Sequence, residues 1–211
     1  MQTEMTINGI VHAAVRRDLQ RLESALTEVA DKDRDRAGDL QRAFANLRRE
    51  LTHHHEGEDE LIWPMLEKFG ADTELLATME SEHQAMAAAL ADTGTALDAF
   101  AASGSANDAA AARESVTRTQ AVVDQHLQHE EKDVEPLVVS RLETKEWKAV
   151  EKKLSRQPPR VAGRFFAWVQ DGMTPETRAG LDAAVPRPVS FLLGRLLGRS
   201  YHREIAPVWQ V

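Results

Sequence analysis

Apolar residues recur at alternating steps of three and four along four stretches of the chain, the period of one face of an α-helix. The first stripe runs Val15, Leu19, Leu22, Leu26 and Val29, with His12 at its N-terminal end, and stops in the charged stretch DKDRDRAG. A second reads Leu40, Phe44, Leu47 and Leu51, then His54 and Glu58, then Met65. After the turn FGADT, a third carries Leu76, Met79, His83, Met86, Leu90 and Leu97 as far as the loop AASGSAND. The fourth reads Val116, Thr119, Val123, His126, Glu130 and Leu137. Four amphipathic helices with short connections predict an all-α fold, an antiparallel four-helix bundle.

The polar residues on these stripes form a pattern of their own, written twice. His12, His54, Glu58 and Pro64 are matched by His83, His126, Glu130 and Pro136. The first two histidines of each set are 42 and 43 residues apart, the His-to-Glu step is 4 in both, and the Glu-to-Pro step is 6 in both. Self-similarity at a long fixed period points to a duplicated helix pair. A lone carboxylate in a bundle core would cost several kcal/mol unless it is paired or bound to a cation. Residues four apart share a helical face, so His54 with Glu58, and His126 with Glu130, each offer a nitrogen and an oxygen to one centre. His12 and His83 complete two such sets. Four imidazoles and two carboxylates can hold two metals, with two histidines on each and both carboxylates bridging. Iron or manganese suits these donors best, and zinc stays open. The competing reading, four core histidines each satisfied by a buried hydrogen bond, leaves the duplicate register unexplained.

Other residues compete for these roles. His53 and His55 each lie about 100° round the helix from His54 and are expected to leave the core face. His129 with Asp133 repeats the four-residue step and offers a substitute pair or an outer hydrogen bond. Glu56, Asp59, Glu60, Glu82 and Glu131 read as solvated charges, although Glu82, beside His83, is placed to orient a ring. A ferritin-like arrangement would use Glu-x-x-His pairs, and Glu50 with His53 and Glu80 with His83 have that spacing. The fourth helix lacks such a pair, and the first has His12 at its site position. Pro64 and Pro136 are expected to kink or end their helices.

Composition narrows the partners. Lys plus Arg number 26 against 34 for Asp plus Glu, a formal charge of −8, so no field favours nucleic acid or an anionic membrane. With no cysteine, thiolate metal sites and disulfides are excluded and any metal must take nitrogen and oxygen. The N-terminus lacks a basic segment followed by an apolar one, and no run approaches the ~20 apolar residues of a membrane span. A cytoplasmic protein is expected. From about residue 141 the chain changes character, and residues 141–211 read as an extension of two or three short helices beyond a bundle at 6–140. Thr174-Pro175-Glu176 has the form of a helix start. The apolar, arginine-studded stretch 186–204 is expected to pack on the bundle, on a second copy or on a protein partner, in preference to lying on a membrane surface.

The segments HAAVRRDLQRL, HHHEGEDELIWPML, SEHQAM and HLQHEEKDVEPL together resemble the hemerythrin-like, or HHE cation-binding, domain over about residues 6 to 140. The resemblance implies a four-helix bundle around a non-heme di-iron centre, with ligands at His12, His54, Glu58, His83, His126 and Glu130, and with dioxygen, hydrogen peroxide or nitric oxide as the small ligand. Oxygen-carrying hemerythrins have a second histidine four residues after the one in the third helix, where this chain has Ala87. They also have an aspartate, after a longer spacing, where it has Glu130. Both departures turn the expectation from oxygen transport toward redox reaction. An iron or oxygen sensor acting through the C-terminal extension is the alternative.

Overall fold

The computed structural model describes residues 6–210, which form helices and turns without a β-strand. Four long helices appear where the stripes place them: α1 (Ile7–Glu28), α2 (Arg34–Gly57), α4 (Thr73–Ser103) and α5 (Ala106–Asp133). Each starts on a short polar side chain that accepts a hydrogen bond from a free amide of the first turn. The caps are Thr6, Asp33, Asp72 and Ser105, and such a cap is worth about 1 kcal/mol. Helix α4 stops at Gly104, whose φ of 67° is the left-handed conformation of a helix end. A side chain at Gly104 would run into Arg34 and the backbone of Lys32, because Lys32 N–H donates to Gly104 O at 2.8 Å and ties the two loops at this end together.

Helix α2 does not stop at its proline. It passes through one wide π turn, Glu58–Ile62, into α3 (Trp63–Lys68), and Trp63 N–H donates to Glu58 O. The expected break at Pro64 is therefore replaced by a register change. Five residues of ordinary α-helix would put Glu58 and Trp63 about 140° apart, yet both are buried, because the π turn inserts one residue between them. The other half of the repeat bends at Val134 into α6 (Glu135–Val139) without such a turn.

Packing runs α1 against α2 and α5, and α4 against α2 and α5, which closes an up-down-up-down bundle. The N-terminal ends of α1 and α4 thus meet the C-terminal ends of α2 and α5, and every repeated His and Glu lies near this one end. Two apolar clusters flank that polar layer. The main one includes Leu51, Met86 and Val123, each one turn from a histidine on the layer's far side. A smaller one, beyond the histidines, includes Trp63, Met79, Val134 and Val150, with Trp147 and Leu154 packed against it.

The extension is more finely divided than expected: α7 (Lys145–Leu154), α8 (Pro159–Gln170), α9 (Pro175–Ala184), α10 (Arg187–Leu192), a π turn at Leu193–Leu197, α11 (Arg199–Glu204) and a 3₁₀ turn at Ala206–Trp209. Thr174 caps α9 as its sequence indicated. Trp168, Leu181, Tyr201, Ile205 and Val208 belong to the same apolar cluster as the bundle interior. The stretch 186–204 packs chiefly on α8 and leaves Val189, Phe191, Leu192 and Leu196 exposed. Among the described residues, no helix is long and apolar enough to cross a membrane.

Candidate metal centre

One carboxylate from each half of the repeat faces a histidine from the other. His12 Nε2 lies 3.2 Å from Glu130 Oε2, and His83 Nε2 lies 3.5 Å from Glu58 Oε2. His54 Nε2 is 3.1 Å from Glu58 Oε1 and 3.4 Å from His12 Nε2, while His126 Nε2 is 3.7 Å from Glu130 Oε2. All six residues expected at the site therefore come together at the bundle end. Five of them are buried, and His54 keeps 16% of its side chain exposed.

The outer ring nitrogens are held by carboxylates. His12 Nδ1 donates to Glu131, His83 Nδ1 to Asp59 and His126 Nδ1 to Glu82, each at 2.9 Å. Such bonds fix the tautomer and turn the Nε2 lone pair inward, the arrangement that orients metal-binding histidines. Glu131, Asp59 and Glu82 were expected to be solvated charges, and Glu82 to orient His83. Instead they anchor three rings, with Glu82 spanning His126 and His129. The signal in the sequence is a second acid directly after each repeated glutamate, Asp59 after Glu58 and Glu131 after Glu130. His129 stands with Asp133 outside the cluster, at 3.4 Å.

A second correction concerns His55. It does not leave the core face: it is 7% exposed, and its ring stacks on that of His83, with centroids 4.1 Å apart and planes 16° from parallel. The physical reason is that His54 and His55 lie three and four residues after the buried Leu51, so they straddle the inward direction. His53 does leave the core and meets Gln157 at the surface.

The electrostatics are those of a polar layer short of positive charge. Burial raises the Glu58 carboxyl well above its ordinary range, and the charge of Glu130 raises it further. Burial would raise Glu130 too, but its hydrogen bond and charge interaction with His12 bring it down to about 2. For His12, burial works against the proton, and the bonds to Glu130 and Glu131 outweigh it, holding the ring at about 9. Burial, then the neighbouring His12 charge, lowers His54 to about 3, and burial lowers His55 and His126 as well. Each of these shifts favours the neutral ring, the form in which imidazole binds metals.

Buried atoms without a hydrogen-bond partner include Glu58 Oε2 and the Nε2 atoms of His55, His83 and His126. Each such atom costs about 1–3 kcal/mol, and a cation bound among them would satisfy them together. Three groups offer donor atoms within 4.8 Å of one another: His12, His54 and Glu130; His55, His83 and His126; and His54, His55 and Glu58.

The fold and this cluster define a helical bundle with a cluster of imidazole and carboxylate donors at one end, placed as a cation site would need them. A family model, the hemerythrin HHE cation binding domain, matches residues 11–138. That span is more than half of the chain, and the chain belongs to this family. No curated protein and no solved structure matches it.

Proposed function

We propose that this is a non-heme di-iron protein whose centre binds or reacts with dioxygen, hydrogen peroxide or nitric oxide. His12, His54, Glu58, His83, His126 and Glu130 would hold the two ions, with the carboxylates of Glu58 and Glu130 available to both. The observation that carries this reading is the convergence of buried, unpartnered donor atoms from both halves of the repeat. When bound, iron supplies open coordination positions and redox capacity; manganese or zinc could use the same donors.

The chain's own residues do the rest. Glu131, Asp59 and Glu82 keep protons on the outer nitrogens and the lone pairs facing in. Two apolar clusters bracket the layer and limit water, and the partly exposed His54 marks the side from which a small ligand arrives. Glu58 and His12 both hold their protons more firmly than usual and would bind a cation only without them, so metal affinity is expected to fall with the pH.

Metal analysis and a visible spectrum of protein made in iron-rich medium, before and after peroxide, test the reading. About two irons per chain and a peroxide-sensitive absorption band are expected, both lost in His54→Ala and Glu58→Ala. A colourless protein with less than one iron per chain would overturn it.

A second reading, a sensor that signals through residues 141–211 to a second copy or a protein partner, is favoured by one observation. Helix α1 carries both His12 and, six residues on, Asp18, which binds Trp168 of the extension. That role requires the extension to be cut by protease at different rates with and without metal; equal rates would remove it.

A further inference from the structure

We propose that His55 is a seventh ligand: with His83 and His126 it forms the three-imidazole face of one cation position, while His12, His54 and Glu130 serve the other. The inference rests on the di-metal reading above and extends its donor set.

The Nε2 atoms of His55, His83 and His126 are all buried, and none has a hydrogen-bond partner. One donor atom from each lies within 4.8 Å of the others. Beyond its stack on His83, the His55 ring meets His126 edge-on, with centroids 5.4 Å apart and planes 82° apart. A histidine kept in a core for packing is expected to find a partner for its ring nitrogens, because an unpartnered buried polar atom is costly. Here three such rings bring donor atoms together, and none of their Nε2 atoms has a hydrogen-bond partner in the protein. A cation that accepts all three lone pairs accounts for the arrangement.

The duplication makes this ligand conspicuous. His54 aligns with His126, so His55 aligns with Leu127, and the extra imidazole exists in only one half. The centre is therefore asymmetric, with five imidazoles, and Glu58 lies between the two positions. The His55 position is enclosed, whereas the His12 and His54 position includes the one ring with appreciable exposure. Exogenous ligands meet the metal there.

Cobalt(II) titration of the metal-free full chain, followed by visible absorption and metal analysis, reads both positions. The wild type is expected to take two ions. His55→Phe, which keeps a flat ring on His83, should take one as before and the second at least about tenfold more weakly. His55→Gln carries the same expectation, so loss of folding in one variant leaves the other to decide. His53→Phe, at the surface, should match the wild type. Two ions bound to a folded His55 variant with wild-type affinities would overturn the seventh ligand and leave the six-residue centre standing. A wild type that takes no ion would overturn both.

Discussion

The indole Nε1 of Trp168 donates to Asp18 Oδ2 at 2.8 Å, and both residues are fully buried. One belongs to the extension and the other to the first bundle helix. Asp18 also meets Arg17 at 2.8 Å and Arg21 at 3.6 Å, while Asp171, just past α8, accepts from Tyr201 at 2.7 Å and from Arg21 at 3.3 Å. The extension is thereby bound to α1 through one buried hydrogen bond and one partly buried ion pair as well as apolar contact.

Trp168→Phe keeps the ring and removes the donor. The Asp18 carboxylate then loses one buried partner, at a cost of about 1–3 kcal/mol. A thermal melt should fall by about 2–4 °C per kcal/mol, in one transition shared by bundle and extension. A separate early transition for the extension, or an unchanged melt, would contradict this.

Much of the bundle was legible in its period. The four stripes placed α1, α2, α4 and α5, and the twice-written motif identified six residues that meet at one end. The parts not legible depended on geometry that a period does not carry. Leu51, His54 and His55 satisfy steps of both three and four, so the stripe alone did not show that both rings lie inward. The π turn rests on a hydrogen bond across five residues, which no α-period displays. Asp59 and Glu131 looked like surface charge because acids usually are; their duplication was visible, but their partners, His83 and His12, lie on other helices. Asp18 interrupts an apolar stripe, yet its partner Trp168 is 150 residues away.

Glu131 ties the protonation of His12 to stability. In metal-free protein the folded pKa of His12 is raised from 6.5 to about 9, so its stabilising contribution is full below pH 6.5 and is lost as the pH rises through 9. Burial acts against ionised Glu131, but bonds from His12 and Arg16 lower it from 4.5 to about 2. Its contribution is present above 4.5 and is lost as the pH falls through 2. Glu131→Gln should therefore flatten both limbs of a stability profile measured by urea denaturation, more on the alkaline side if His12 is the main partner. A profile parallel to the wild type would refute the coupling.

The outer carboxylates should matter for metal retention without touching metal. Asp59→Ala frees the Nδ1 proton of His83, and loss of such a partner typically weakens metal binding about 10- to 100-fold. Competition with a chromophoric chelator measures it. Glu60→Ala, one residue on and exposed, should bind as the wild type does. Equal affinities for the two variants would show that the ring of His83 is held by packing alone.

Two glycines in helices should respond in opposite directions to the same substitution. Gly163 lies where α8 meets the π turn Leu193–Leu197, and a methyl group there would overlap the side chain and backbone of Leu197. Gly163→Ala should cost about 1–3 kcal/mol through overpacking and speed trypsin cleavage at the arginines of 187–203, which are exposed but held in ordered helices. Gly38, inside α2, has only the Arg42 guanidinium near the added atom, at 3.6 Å. Gly38→Ala should gain about 0.5–1 kcal/mol, the helix preference of alanine over glycine. Thermal melts and limited proteolysis separate the two; a Gly163→Ala protein as stable and protease-resistant as the wild type would mean that the π turn is free to move off α8.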